Sequence, residues 1–289
     1  MPETDRKPRL SRASKRRFRG ALLGGREWLA SGFAVGSLGL LAGFITLPIV
    51  AMVFWTASED SWAAMASPVA LQALFVSLKT TAVTLVFLVI FGTPAAYVLA
   101  RGRFPGVKIL NTLVELPIVL PPSAAGIALL LAFGRLGLIG EPLDLAFGIT
   151  LSFTTVAVIM SQVFVAVPFY VRQAATGFSE VDRTIEEAAM VDGAGRTGTF
   201  FRITVPLAFP ALVAGAITAW ARALGEFGAT IIFAGNFAGV TQTIPLAIYS
   251  EFQSNLDAAV ALSLMVLVFA FAVILAVRYL TRQAVEYRD

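Results

Sequence analysis

The chain contains no cysteine and no histidine. Zinc sites with thiolate or imidazole ligands, thiol redox work, and Ser-His-Asp or Cys-His nucleophilic catalysis are therefore excluded. No Gly-Lys pair occurs anywhere, so a Walker-type phosphate loop is absent, and any ATP used alongside this protein must be hydrolysed by another subunit. Charge is scarce as well. Only 14% of the 289 residues are charged and 57% are hydrophobic, whereas soluble domains average about 25% charged. With a mean hydropathy of +0.81, the fold class is an all-α integral membrane protein. The net charge of +4 might suggest a nucleic-acid partner, but the basic residues lie mostly in the tails and the short loops, so none is expected.

Residues 1–28 hold nine of those basic residues, from Arg6 to Arg26, and read as a disordered basic tail held against anionic lipid. The apolar run that follows is about 27 residues, longer than the roughly 7–15 of a cleavable signal core, so it reads as an uncleaved first span. That span, Trp28 to Trp55, has tryptophans near both ends, as in an interfacial aromatic belt, and small residues Gly32, Gly36, Gly39 and Gly43 on its length. Five further spans are read at about Leu71 to Ala100, Ile109 to Phe133, Leu151 to Val171, Leu207 to Phe233 and Asp257 to Val277. Each is long enough to cross about 30 Å of hydrocarbon. The tails and the second and fourth loops carry 19 of the 22 basic residues, while the first, third and fifth loops together hold only Arg135. By the positive-inside rule both termini are expected in the cytoplasm. The plan is a tail (1–28), a six-span domain (29–280) and a short C-terminal tail (281–289).

The third span contains Glu115 and the run LPIVLPP, in which Pro117, Pro121 and Pro122 each delete a backbone donor. A helix broken at membrane depth is tolerated where it lines a cavity or is buried in protein, which makes these residues candidates for a transport pathway.

Residues 179–206, SEVDRTIEEAAMVDGAGRTGTFFRITVP, are the longest interior run that cannot sit in lipid. Ser179 with Asp182 predicts a capping-box start, and Val181, Ile185, Ala188 and Ala189 fall on one face of a short helix decorated by Asp182, Glu186 and Glu187. Gly193, Gly195 and Gly198 are expected to end it, and Pro206 to open the next helix. The glycines also spell G-x-G-x-x-G, a dinucleotide fingerprint that requires a preceding strand; here an amphipathic helix precedes it, so nucleotide binding is not expected. Glu187-Ala188-Ala189, Gly193, Ile203 and Pro206, at their fixed spacing, resemble the EAA loop of ABC importer permeases. The family usually has leucine where Val205 stands. The resemblance implies that 172–206 is a cytoplasmic coupling loop seated in a cleft of an ATPase subunit, with Glu186 beside the motif.

Arg222 and Glu226 sit at i and i+4 of the fifth span, so one helix face is expected to carry both. An ionisable pair inside a span faces a bundle interior or a wet cavity, or satisfies itself within its own helix. The run WARALGEFGATIIFAGNFAGVTQTIPLAIY around them, including Gly225, Gly228 and Thr230, is similar to permeases of molybdate or tungstate importers. Sulfate permeases are also similar, but tend to tyrosine and serine at the positions of Phe227 and Ala229. The resemblance implies a homodimer in the prokaryotic cytoplasmic membrane. It also implies two ATPase subunits that use ATP and Mg, an extracytoplasmic oxyanion-binding protein, and no cofactor or metal on this chain itself. A sulfate or thiosulfate permease is the nearest alternative. A secondary transporter would call for internal repeats or paired intramembrane carboxylates, and no convincing repeat is present.

Overall fold

A computed structural model describes residues 12–56 and 63–286, all of the regular structure among them being helical. It divides into two units, residues 1–55 and 56–289. The described residues of the first unit form one helix, α1 (Arg12–Trp55), whose apolar part from Gly32 onward is largely exposed. The helix starts well before Trp28, so residues 12–28 extend the span as helix rather than forming a disordered tail. Residues 1–11 of the expected tail lie outside the described residues.

The second unit contains α2 (Pro68–Arg101), α3 (Val107–Val119), α4 (Pro122–Phe133), α5 (Gly140–Phe147), α6 (Thr155–Glu180), α7 (Arg183–Val191), α8 (Arg196–Leu224), α9 (Gly228–Phe233), α10 (Ile244–Phe252) and α11 (Leu256–Glu286). Among the described residues five helices are long and apolar enough to span a membrane, and the bent pair α3–α4 makes a sixth if it counts as one. α6 is the axis of the unit. Half of its apolar window is buried, the largest share of any of these helices, and it packs on α8, α2 and α3. Small residues permit the close approach: a Cβ on Gly177 would collide with Ala211 of α8, and one on Gly215 would sit 3.2 Å from the Tyr170 carbonyl. Several polar groups inside this packing pair across helices. Gln162 donates to Thr80 Oγ1 at 3.1 Å and accepts from Thr84 at 3.1 Å, and Ser77 accepts the backbone N–H of Ile244 at 2.8 Å.

Two helical runs include a π-helical turn, Leu88–Gly92 in α2 and Phe200–Thr204 in α8. Each stands just ahead of a proline, Pro94 and Pro206. A proline ring presses on the carbonyl four residues back, here Ile90 and Arg202, and both of those carbonyls lie in the widened turn. Pro206 stands, as the sequence suggests, in the first turn of the regular α-helix Val205–Leu224, but that helix continues an earlier run through the π-helical turn. The run begins ten residues before Pro206, at Arg196, with Gly195 at its N-cap and Gly198 in its first turn.

The expected break at LPIVLPP is larger than a kink, with α3 and α4 meeting at 117°. The fifth span is also interrupted. α8 ends at Leu224, and α9 starts at Gly228 after three non-helical residues. The two breaks interlock, since a Cβ on Gly228 would lie 2.5 Å from that of Pro122, and one on Gly126 would lie 2.9 Å from the Ala229 carbonyl. α4 and α9 bury Ala125, Leu129, Ala229 and Phe233 against Ala157 and Val158 of α6. Phe153, just before α6, adopts φ 61°, a strained value for a bulky residue, and its N–H donates to the Phe233 carbonyl at 3.1 Å. Segments read as loops also carry short helices, α5 and α10. In α5, Asp144 takes hydrogen bonds from Arg135 at 2.9 Å and Thr150 at 3.1 Å, and these bonds, the arginine's above all, hold its carboxyl below the usual carboxylate range.

Gly126→Leu should wedge α4 from α9 and lower the thermal midpoint of the detergent-solubilised protein, with an overpacking cost of about 1–3 kcal/mol. Leu131→Ile, on the exposed side of the same helix, should leave the midpoint near that of the parent.

Candidate functional site

The stretch between α6 and α8 has an exposed face and an anchored underside. α6 continues through Ser179, whose hydroxyl donates to the Thr176 carbonyl at 2.7 Å, so Ser179 does not start the next helix. Val181 is extended, with ψ 125°, and Asp182 becomes the cap, accepting the Thr184 N–H at 2.9 Å. That hydrogen bond, with a smaller contribution from Arg101, holds the Asp182 carboxyl below the usual carboxylate range. Because the folded value is depressed, the cap is fully present at neutral pH and is lost only as pH falls through the acid range. α7 ends through Gly193 at φ 91°, where the Gly193 N–H donates to Met190 at 3.2 Å and the Ala194 N–H to Ala189 at 2.9 Å. An L side chain is disfavoured at that φ.

Glu187 and Ala188 of α7 are exposed, as are Ile185, Met190 and Val191, the last at 87%. Ala189 is half-buried. Glu186 turns the other way and is 8% exposed. Its Oε1 accepts the Thr204 hydroxyl at 2.7 Å and lies 3.5 Å from Arg101 Nη2, which also donates to the Val181 carbonyl at 2.7 Å. Beneath lies an aromatic cluster in which Tyr97 packs edge-on to Phe178 at 5.5 Å and to Phe200 at 4.9 Å. Beside α7 a cavity of about 490 Å³ is lined by Gly193, Gly195, Gly198, Arg202 and Ile203. With α7 rather than a strand ahead of these glycines, the dinucleotide fold is absent here. Arg101 and Thr204 were not singled out by the sequence, since nothing local links them to Glu186.

The second locus is the break between α8 and α9. Arg222 lies in the last turn of α8, and Glu226 lies beyond its end, so the pair does not share a helix face. It closes across the break instead: Arg222 Nη1 meets Glu226 Oε2 at 2.7 Å, while Oε1 accepts the Ala229 N–H at 2.7 Å. The Glu226 side chain is 1% exposed and that of Arg222 28%. Thr230 is fully buried, and its hydroxyl has no hydrogen-bond partner. Pro121 and Pro122 sit at the α3–α4 bend, Pro122 against Gly228, while Gly225 ends α8 and Pro117 lies within α3. Glu115, also on α3, faces Arg172 of α6 at 3.9 Å, with both side chains more than half exposed.

Removing one partner of a buried pair strands the other charge. Arg222→Met should therefore cost about 3–5 kcal/mol of stability, and Arg222→Met/Glu226→Gln should recover part of it. Thermal denaturation in detergent measures both variants, and an equal loss in single and double variant would contradict the ion-pair account.

Residues 89–285 match the family described as binding-protein-dependent transport system inner membrane component. The chain is 44% identical over 234 residues, 81% of its length and 88% of the relative's, to the molybdenum transport system permease protein ModB of Mycobacterium tuberculosis. It is 40% identical over 203 residues, 70% of its length and 89% of the relative's, to the protein of the same name from Escherichia coli. Among solved structures it is similar to a bacterial alginate ABC transporter in complex with a periplasmic protein carrying an alginate pentasaccharide. That match has a TM-score of 0.70 at 16% identity, covering 90% of this chain and 96% of that one. A matched family model over 89–285, spans of the required length and the shared fold lead to one assignment: the chain belongs to the inner-membrane components of binding-protein-dependent transport systems, as a multi-pass ABC importer permease.

Proposed function

We propose that the chain forms the membrane pathway of a molybdate or tungstate importer, working as a homodimer with both termini in the cytoplasm. Two ATPase subunits, which bind the ATP and Mg, dock on α7, and an extracytoplasmic binding protein delivers the dianion. The observation that carries this reading is the two-sided geometry of α7. Glu187, Ala188, Ile185 and Val191 form an open, low-relief surface, while Glu186 is held inward, an arrangement suited to a helix that sits in another protein's cleft. Glu187 and the Ala188–Ala189 surface supply contact, and Gly193 stops the helix so that it fits. Ile203 borders the cavity beside α7, and Pro206 sits within α8 just beyond its π-helical turn. The identity with proteins named for molybdenum transport directs the choice of substrate.

The membrane half of the mechanism needs no free cation. Arg222 is neutralised by Glu226, so the pair offers an oxyanion little net charge, and selectivity rests with the external protein. ATP-driven closure of the ATPase dimer displaces α7, and the displacement reaches the breaks at Pro117–Pro122 and Gly225–Gly228, where α3–α4 and α8–α9 can flex. Glu115, Thr230 and the Arg222–Glu226 pair line or brace that region.

Co-purification of the neighbouring ATPase with the chain tests the docking, compared with a variant whose residues 186–193 are scrambled. The ATPase should be retained by the parent and lost by the scrambled form; retention in both, or binding in neither, removes the reading. Glu187→Arg and Gly193→Leu should each insert normally yet reduce substrate-stimulated ATPase activity at least about tenfold, the scale of one lost interfacial contact. Normal stimulation in either would be decisive against the assigned roles. Uptake of labelled molybdate against excess sulfate in vesicles distinguishes the oxyanions.

A further inference from the structure

We propose that Arg101 and Thr204 are positioning residues for coupling, tying α7 through the Glu186 carboxylate to the ends of α2 and α8, so that a displacement of α7 is delivered to both spans at once. This rests on the reading of α7 as the ATPase-docking helix.

α7 has only nine residues, and non-helical backbone flanks it at 181–182 and 192–195. Such links transmit force poorly by themselves. The rigid connection is lateral. Glu186 and Glu187 are adjacent, about 100° apart around the helix, so one carboxylate faces outward while the other faces the body. Glu186 Oε1 is shared by two donors from different spans: Arg101, the last residue of α2, and Thr204, the last residue of the π-helical turn in α8. Arg101 also holds the Val181 carbonyl at the hinge between α6 and α7. Three of the helices that surround the core therefore meet α7 at one guanidinium and one carboxylate.

The cluster is enclosed, with side-chain exposures of 12% for Arg101 and 10% for Glu186, and Thr204 is fully buried. Water does not screen these bonds as it would a surface pair, so they are stiffer than a surface contact. It is also incompletely satisfied. Arg101 Nε is buried without a partner, and the Arg101–Glu186 separation of 3.5 Å is longer than the 2.7 Å bond to Val181. A shift of α7 toward α2 would bring guanidinium N–H groups within hydrogen-bond distance of the carboxylate, which they now face only as an ion pair, giving the cluster a second arrangement. The aromatic contacts of Tyr97, Phe178 and Phe200 join the same three helices directly beneath, so the movement has packed side chains to push against.

The test uses the permease reconstituted in proteoliposomes with its ATPase and binding protein, reading ATP hydrolysed per molybdate imported alongside ATPase co-purification. Thr204→Val keeps shape and removes the hydroxyl, Thr204→Ser keeps the hydroxyl, and Arg101→Met removes the charge. Thr204→Val and Arg101→Met should raise ATP consumed per molybdate at least about fivefold, the lower end of ordinary coupling strengths, with ATPase binding unchanged. Thr204→Ser should behave as the parent. A parental ratio in Thr204→Val overturns the proposal, even where Arg101→Met fails to accumulate. Loss of ATPase binding in Thr204→Val overturns it too, since the residue would then support docking rather than transmission. A parent that binds no ATPase instead defeats the underlying reading of α7.

Discussion

Hydrocarbon offers no hydrogen-bond partner, so each interruption of a helix at membrane depth must be satisfied from within the protein. The transport unit contains two such interruptions, and each leans on the other. At the α8–α9 break, Glu226 accepts the Ala229 N–H with one oxygen and the Arg222 guanidinium with the other. At the α3–α4 bend, Pro121 and Pro122 have no N–H to leave unpaired, and Pro122 seats against Gly228, where no side chain intervenes. A carboxylate that would be costly if unpaired becomes the group that makes the break tolerable.

Proline is accommodated differently in the two continuous runs. Pro94 and Pro206 each follow a π-helical turn and leave α2 and α8 unbroken. Where two prolines adjoin, at 121–122, the chain turns through 117° instead. One residue type thus yields an unbroken helix or a sharp corner according to its number and its neighbours. The unbroken runs carry the ends that touch α7, and the corner lies where the pathway is proposed to open.

The short helix α7 shows how two neighbouring residues of one type acquire opposite duties. Glu187 is exposed beside Ala188 and Val191, while Glu186 is enclosed with Arg101 and Thr204. An importer permease has to receive movement from outside the membrane and pass it inward, and a helix with an open face and an anchored back is suited to both tasks.

Composition and local period alone specified a helical membrane protein, the approximate position of the long apolar helices, the basic loops, the break at LPIVLPP and the amphipathic character of 183–191, because each depends on residues within a few turns of one another. The spacing from Glu187 to Pro206 singled out the stretch that is proposed here to dock the ATPase. Tertiary structure decided what local pattern could not. Glu226 lies off the helix face expected to carry it with Arg222 because α8 ends at Leu224 with Gly225 as its C-cap, and its carboxylate accepts the Ala229 N–H at the start of α9. Ser179 stayed in α6, since Val181 rather than Ser179 was where the backbone turned. The inward glutamate was chosen by Arg101 and Thr204, 85 and 18 residues distant in sequence, and Gly228 was required by Pro122 on another helix. Contacts of that kind depend on how helices pack, and no periodicity within a single segment encodes them.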